Sequence, residues 1–282
     1  MERKERLAQY VETLFKCSEF SEAFIQLEHQ AERMGFESVL YTQIPKALID
    51  AKFTVEPVYE VSDNFSPAYL SHYAEARFDR HDPVIKAVEC GESDPLNWWG
   101  PVHSRYANST LESKEVVESA RDYGIKNGIT LPLMSDEQGI AGASFITSDE
   151  RNFDGLWAER GQELELYTRV FHSIVTTSSS MNSHFSKPLL ELLSNTELRL
   201  LIGLANGLTM AQVAVDINRR VKYLEQVMLS LRRKLSGVDS DTPPAINRNQ
   251  LMYYAGLLKV LEYNDLYLHG DQDDHTAKVL IR

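Results

Sequence analysis

The sequence has few of the residues and patterns that mark several large classes of protein. Its 282 residues include only two cysteines, Cys17 and Cys90, which excludes a disulfide framework and a cysteine-based metal site. No stretch approaches the roughly 20 consecutive apolar residues that a membrane-spanning helix needs. No basic patch followed by an apolar run marks a secretory signal. We therefore expect a cytoplasmic protein without a membrane partner.

Motifs of common enzyme classes are missing as well. The chain has no glycine-rich phosphate loop, no Gly-x-Ser-x-Gly nucleophile elbow and no His-Glu-x-x-His zinc motif. Histidines and aspartates do cluster between His269 and His275, but their spacing matches no rigid metal site, and a solvated tail is the simpler interpretation. The sequence thus predicts no catalysis and no cofactor.

Positive charge is scarce over most of the chain. The formal net charge is −12 at pH 7, which argues against a protein that coats nucleic acid by bulk charge. Residues 1–185 carry 17 basic and 30 acidic side chains, whereas residues 186–262 carry 10 basic and 7 acidic ones. Only this second segment is basic.

Hydrophobic periodicity predicts a layered N-terminal domain. Four segments rich in β-branched and aromatic residues are predicted strands, the last two as a hairpin: residues 36–44, 53–61, 129–134 and 140–147. Apolar residues at helical spacing occur before, between and after them: residues 2–34, 112–123 and 156–177. The prediction is an α/β layer domain with a small antiparallel sheet between helices, an arrangement that suits a pocket.

A different pattern follows the Ser-rich stretch at 178–188. Two capping boxes open successive helices: Ser194-x-x-Glu197 and Thr209-x-x-Gln212. Residues 221–235 continue with helical spacing after a short turn, so the sequence predicts a helix-turn-helix. A fourth helix over residues 248–261 is expected to cover its core.

Aromatic residues and one carboxylate gather between Tyr69 and Gly128. Ser66 is a plausible N-cap of a short helix, which would hold Tyr69 and Tyr73 one turn apart on one face. Because Asp82 precedes a proline, we expect it on a loop or at the start of the next helix. Two interpretations stay open. These residues are core aromatics beside a helix-capping Asp, or they line a pocket in which a ligand N–H pairs with the carboxylate.

Several of these motifs resemble the signal-binding domain of LuxR-type quorum-sensing transcription factors: Tyr-x-x-x-Tyr, Asp-Pro-Val, Pro-x-x-Trp and YGIKNGITLPL. LSNTELRLLIGLANGLTMAQVAVDI, LRRKL and NRNQLMYYAGLLKVL resemble the DNA-binding domain of that family. The resemblance implies an α+β protein with an N-terminal α-β-α sandwich around an antiparallel sheet and a C-terminal all-α helix-turn-helix domain. We expect a signal-binding domain at 1–177, a linker at 178–188, a DNA-binding domain at 189–262 and a tail at 263–282.

The resemblance also implies roles for single residues. Tyr69 takes the place of a Trp that donates to the lactone carbonyl of an acyl-homoserine lactone in the family. Tyr73 would donate to an acyl-chain carbonyl, and Asp82 would accept the amide N–H. Trp98 would stack near the lactone; from the residues alone, either Trp98 or Trp99 could close the far wall of the pocket. The predicted ligand-binding residues are Tyr69, Tyr73, Asp82, Trp98 and Gly128, the last at a turn beside the pocket.

The predicted recognition helix departs from the family pattern. Arg220, Tyr223-Leu224-Glu225 and Val227 stand where Ser, Thr-Val-Lys and His are common, which removes an N-cap and places a carboxylate near phosphates. A solvated helix face is the alternative interpretation of its basic residues. The predicted DNA contacts are Arg219, Arg220, Lys222, Tyr223, Glu225, Gln226, Arg232, Arg233 and Lys234.

Three functions remain open. The first is a regulator that binds a small signal, most simply an acyl-homoserine lactone, and double-stranded DNA as a homodimer, with RNA polymerase or an antagonist protein as further candidate partners. The second is a binding module with degenerate DNA reading that pairs with another regulator or an antagonist. The third is an enzyme using His81 and Asp82, which ranks last because no third catalytic group is visible.

Overall fold

The computed structural model describes residues 3–52, 54–147, 153–238 and 243–263. Nearly all of the predicted tail, with its His and Asp cluster, lies outside the described residues. Within the described ranges, no helix is both long and apolar enough to cross a membrane.

An antiparallel sheet forms the centre of the N-terminal part. Its strands are β1 (Ser38–Pro45), β2 (Tyr59–Val61), β3 (Leu96–Asn97), β4 (Gly128–Ser135) and β5 (Gly139–Ile146). They lie in the order β2-β1-β5-β4-β3. β4 and β5 form the predicted hairpin, and β1 pairs with β5 from Ser38 to Pro45. The predicted fold class, with its central antiparallel sheet, is confirmed.

Helices cover both faces of this sheet. Those that precede residue 192 are α1 (Arg3–Leu14), α2 (Phe20–Arg33), α3 (Lys46–Asp50), α4 (Pro67–Glu75), α5 (Pro83–Glu89), α6 (Pro101–Ala107), α7 (Leu111–Asp122), α8 (Phe153–Thr177) and α9 (Ser179–Glu191). Side chains along β1 point alternately to the two faces of the sheet. Val39 and Tyr41 pack into an apolar core with α2, α8 and α9, whereas Leu40, Thr42 and Ile44 face a cavity on the other side.

Two segments differ from the sequence prediction. The strand predicted over 53–61 is short, because only Tyr59–Val61 pairs with β1; Pro57, which has no N–H to donate, lies just before it. The predicted linker 178–188 lies largely within α9. Its Ser-rich composition masks an apolar residue every fourth position, and these side chains are buried: Met181, Phe185 and Leu189.

The C-terminal lobe is all-helical, as predicted. It contains α10 (Asn195–Ala205), α11 (Met210–Asp216), α12 (Val221–Ser236) and α13 (Arg248–Leu257). Both predicted capping boxes are formed, at Ser194 with Glu197 and at Thr209 with Gln212. Arg220 at the N-cap of α12 makes no capping side-chain hydrogen bond, in agreement with the missing serine.

The two lobes share one apolar cluster. It joins side chains from β1, α3 and α5 to side chains from α9, α10, α12 and α13, including Leu48, Val88, Leu201, Leu235 and Leu251. Polar contacts flank it: the Tyr254 hydroxyl donates to Asp50 at 2.6 Å, and the Tyr253 hydroxyl donates to the Glu137 carbonyl at 3.2 Å. The helix-turn-helix therefore packs against the sheet domain through α3 and the β4–β5 turn.

Candidate functional site

Helix α4 brings two tyrosines to one wall of the cavity. The Ser66 side chain accepts a hydrogen bond from the Tyr69 backbone N–H, and Pro67 occupies the first turn, as predicted from the sequence. The rings of Tyr69 and Tyr73 lie 5.9 Å apart, nearly edge to face. Tyr69 is buried, and its hydroxyl makes no hydrogen bond to any residue that the structure describes. One phenol on this wall is therefore free to bond a guest.

Asp82 both caps a helix and lines the cavity, the two positions that the sequence left open for it. One carboxylate oxygen, Oδ1, caps α5 by accepting from the backbone N–H groups of Val84 at 2.6 Å and Ile85 at 3.3 Å. The other, Oδ2, accepts from the Tyr73 hydroxyl at 2.8 Å. Asp82 also lines the cavity. The helix-capping Asp and the pocket Asp are the same side chain.

No cation among the described residues accompanies this carboxylate. Burial raises the pKa of Asp82 above its usual range, and the hydrogen bonds from Tyr73, Val84 and Ile85 offset that effect only in part. Each oxygen has more than one lone pair, and Oδ2 receives only the tyrosine proton from the part of the chain that the structure describes. A neutral donor brought by a guest would complete the hydrogen bonding of this oxygen.

The cavity itself, which we call the inner chamber, lies between the sheet and helices α4 and α5. It holds about 710 Å³ of space free of protein atoms, counting the part that opens to solvent. Its wall is mainly apolar: Leu40, Thr42, Ile44, Tyr59, Phe65, Tyr69, Leu70, Tyr73, Asp82, Val84, Ile85, Val88, Trp98, Thr130, Ile140, Ala141, Gly142 and Ser144.

Trp98 closes one end of the inner chamber. Its indole N–H donates to the Thr130 hydroxyl at 2.8 Å, which in turn lies 2.8 Å from the Ser144 hydroxyl. Trp99 instead points away: its indole N–H donates to the Lys126 carbonyl, and its ring lies under the Arg121 guanidinium. Of the two tryptophans considered, Trp98 is the one that lines the inner chamber.

The prediction for Gly128 needs a correction. The residue is not in a turn but begins β4, and it does not line the inner chamber. A Cβ placed there would come within 2.6 Å of the Trp98 ring, so glycine leaves the space in which this indole packs. Gly128 acts on the chamber only through Trp98.

The sequence prediction missed the polar residues of the sheet floor. Thr42, Thr130 and Ser144 face the inner chamber from β1, β4 and β5, and Tyr59 faces it from β2. Strand alternation could have placed Thr42 on the face of Leu40 and Ile44, but the sequence does not show which face is open.

The predicted DNA contacts fall into two groups on α12. The turn before it and its first two turns are exposed to solvent and carry Arg219, Arg220, Lys222, Tyr223, Glu225 and Gln226. The three residues nearer the C-terminal end are half-buried: Arg232, Arg233 and Lys234. Only the first group lies where a recognition helix contacts base edges with its N-terminal residues.

Two of the half-buried cations hold the lobe together. The Arg232 guanidinium donates to the Ile246 carbonyl at 2.7 Å. The Lys234 ammonium contacts the Glu197 carboxylate at 2.7 Å and the Leu192 carbonyl at 3.0 Å. The hydrogen bonds that Glu197 accepts, the one from Lys234 foremost, lower its pKa against the effect of burial. The positive charge available at the exposed end of α12 is thus smaller than the sequence count indicates.

Comparison with known proteins agrees with this architecture. Residues 20–175 match the family described as "Autoinducer binding domain". The transcriptional activator protein LuxR of Aliivibrio fischeri strain ATCC 700601 / ES114 is 26% identical over 106 residues, which cover 37% of this chain and 40% of that protein. A second LuxR sequence from Aliivibrio fischeri is 23% identical over 109 residues. The match therefore spans only about two fifths of these relatives, 40% and 41% of their lengths.

Solved structures resemble the chain over nearly its whole length. A crystal structure of Escherichia coli SdiA has a TM-score of 0.55 at 18% identity and covers 92% of this chain and 99% of that one. SdiA in complex with octanoyl-rac-glycerol has a TM-score of 0.50 at 19% identity, covering 91% and 93%. At such identities the likeness shows the fold, in which a sheet domain is followed by a helical domain.

Proposed function

Because this chain belongs to the LuxR-type family of proteins with an autoinducer-binding domain, we propose that it is a transcriptional regulator controlled by a small signal that binds in the inner chamber. The signal is an amide with an apolar chain, most simply an acyl-homoserine lactone. Residues 1–177 receive it, residues 189–262 contact double-stranded DNA, and the active form is a homodimer.

The single observation that carries this proposal is the Asp82 carboxylate in an apolar chamber with no cation from the described residues beside it. A buried charge is costly unless it is paired. An amide N–H reaching Oδ2 would supply a further hydrogen bond to this charge, and the Tyr69 hydroxyl on the same wall could donate to a carbonyl two or more bonds away. A signal with one donor, nearby acceptors and a hydrocarbon chain therefore fits the groups that line the chamber.

Ligand binding is tested by thermal unfolding. A ligand at about 100 times its dissociation constant stabilises the native state by roughly 2.7 kcal/mol. We expect acyl-homoserine lactones to raise the melting temperature and the matched free fatty acids, which lack the amide and bring a negative charge, to have little effect. A melting temperature unchanged by every lactone tested, and by extracts of the host cell, would rule out the signal-binding proposal.

DNA binding is tested separately on lactone-saturated protein. Retention at low salt on heparin and a shift with a two-fold symmetric DNA site are expected, with the exposed cations of α12 binding the phosphates. Replacing Arg219 and Arg220 by alanine should weaken binding to all sequences and lower the salt dependence by about one unit for each phosphate that is no longer bound. Sedimentation of the same complex tests the homodimer.

One feature of α12 favours a second candidate function. The helix starts without a side-chain cap and exposes Glu225 among its first cations, which is unfavourable beside phosphates. On this alternative the C-terminal lobe binds DNA poorly and the protein acts by pairing with another regulator or an antagonist. If Glu225 accepts from a cytosine amino group, Glu225→Ala relaxes sequence preference at one position. If Glu225 only repels phosphate, Glu225→Lys raises affinity for all sequences together. Absence of any DNA retention in both variants would support the pairing function.

A further inference from the structure

A second cavity adjoins the inner chamber and shares one wall with it. This outer chamber is lined by Glu56, Pro57, Tyr59, Leu70, Tyr73, Ala74 and Asp79 and holds about 530 Å³, counting the part that opens to solvent. Three of these residues, Tyr59, Leu70 and Tyr73, also line the inner chamber. The two spaces thus meet at these three residues.

Tyr59 is held on this wall mainly by ring packing. Tyr73 is tied by its hydroxyl to Asp82. The Tyr59 hydroxyl is buried beside the Tyr73 hydroxyl and, unlike it, makes no hydrogen bond to a carboxylate of any described residue. Its ring contacts the Tyr73 ring edge to face, with centroids 5.6 Å apart, an interaction of modest strength.

The backbone at Tyr59 is also at the margin of the sheet. β2 is three residues long, begins at Tyr59 and lies at the edge, with β1 as its neighbour in the sheet. Tyr59 is the register partner of Thr42, so both side chains lie on the chamber face. A ring in this position can rotate without disturbing a central strand.

We propose that Tyr59 is a gate that limits the length of the chain the protein accepts, and that the outer chamber admits longer chains only when Tyr59 is displaced or removed. The inference rests on the proposed signal binding. With the gate closed, a chain that reaches Tyr59 has no further apolar surface to bury. With Tyr59 reduced to a small side chain, the two chambers become one continuous tunnel.

The outer chamber also limits which chain ends it admits. Asp79 is buried and paired with Arg77 through two hydrogen bonds of 3.0 Å, and Glu56 is exposed at the rim. The Arg77 guanidinium is therefore directed at Asp79 on this side. A hydrocarbon end or an uncharged polar end suits this chamber, whereas a terminal carboxylate meets two acidic side chains.

The test is a series of N-acyl-homoserine lactones with chains from four to fourteen carbons, measured by calorimetry on the full chain. For wild type, affinity should rise about fourfold per methylene, equivalent to about 0.8 kcal/mol, and then level off. For Tyr59→Ala the rise should continue for several more carbons, which moves the best length upward. Tyr59→Phe, which keeps the ring, is the matched control and should retain the wild-type profile.

The outcomes of this series separate the two proposals. If no lactone of any length binds wild type or variant, the signal-binding proposal fails. If lactones bind and Tyr59→Ala has the same best length as wild type, the gate is overturned while signal binding stands. Should Tyr59→Ala not fold, Tyr59→Val gives the same readout, because a β-branched residue suits an edge strand; an unchanged best length there equally overturns the gate.

Discussion

Replacing Asp82 by asparagine should change stability and ligand affinity in opposite directions. Asparagine keeps the size of the side chain, and as a good N-cap it can still accept from Val84 and Ile85 at the start of α5. Its amide can also stay bonded to the Tyr73 hydroxyl, with the amide now donating. What the substitution removes is the negative charge facing the inner chamber.

The direction of each change follows from the buried carboxylate. The raised pKa of Asp82 shows that burial costs its charged form more than the hydrogen bonds return. The empty variant should therefore be at least as stable as wild type at neutral pH. This difference should shrink as pH falls through the raised pKa, because native Asp82 then takes up a proton before the unfolded chain does. A charge-assisted hydrogen bond to the ligand amide is worth roughly 1.5 to 3 kcal/mol, so affinity should fall about 10- to 150-fold.

The assay pairs urea unfolding of the empty protein with calorimetry against one lactone of short chain. Asp79→Asn is the control, because Asp79 is also buried but pairs with Arg77 outside the inner chamber. It should lose stability and keep its affinity. If Asp82→Asn binds the lactone as tightly as wild type does, the carboxylate serves only as a helix cap and the reasoning is refuted.

Three further predictions concern the wall, the lobe and the core. Gly128→Ala should destabilise the protein by roughly 1 to 3 kcal/mol, since the added methyl overlaps an indole 2.6 Å away; an unchanged urea midpoint and tryptophan emission would contradict it. Lys234→Met should lower the melting temperature without changing the salt dependence of DNA binding. Lys222→Met, at an exposed position, should leave the melting temperature unchanged and lower the salt slope of DNA binding by about one unit. Burial lowers the pKa of His172 to about 4. As pH falls from about 6.5 towards 4, the unfolded chain binds a proton at this residue before the native state does, so the free energy of unfolding should fall. His172→Gln should flatten that part of the stability profile.

Local signals were sufficient to predict much of the fold. Ser66 before Pro67, and the boxes at Ser194 and Thr209, each indicate in the sequence where a helix begins, and each cap is formed. The polar turn between residues 135 and 139 joins two apolar runs, and the two strands form the predicted hairpin. Such signals act within four residues, so they can be recognised without knowledge of the tertiary structure.

The remaining features depend on tertiary packing. The helix over 179–191 has the composition of a linker, yet its Met181 and Phe185 side chains are buried against the sheet domain. Lys234 is predicted from its position to bind phosphate, yet its ammonium pairs with the Glu197 carboxylate, 37 residues earlier. The space beside Thr42 and Ser144 is open because no side chain fills it, and no local sequence pattern predicts such a gap.

The shared core of the two lobes bears on how a signal could be detected by the DNA-binding part. Ile44, Val88 and Ile140 line the inner chamber and also belong to the apolar cluster that packs against the helix-turn-helix. Any guest that fills the chamber therefore contacts side chains of the cluster that the C-terminal lobe shares. We expect a ligand that favours one arrangement of these three side chains to favour one packing of the lobe as well, because a close-packed interface does not deform continuously.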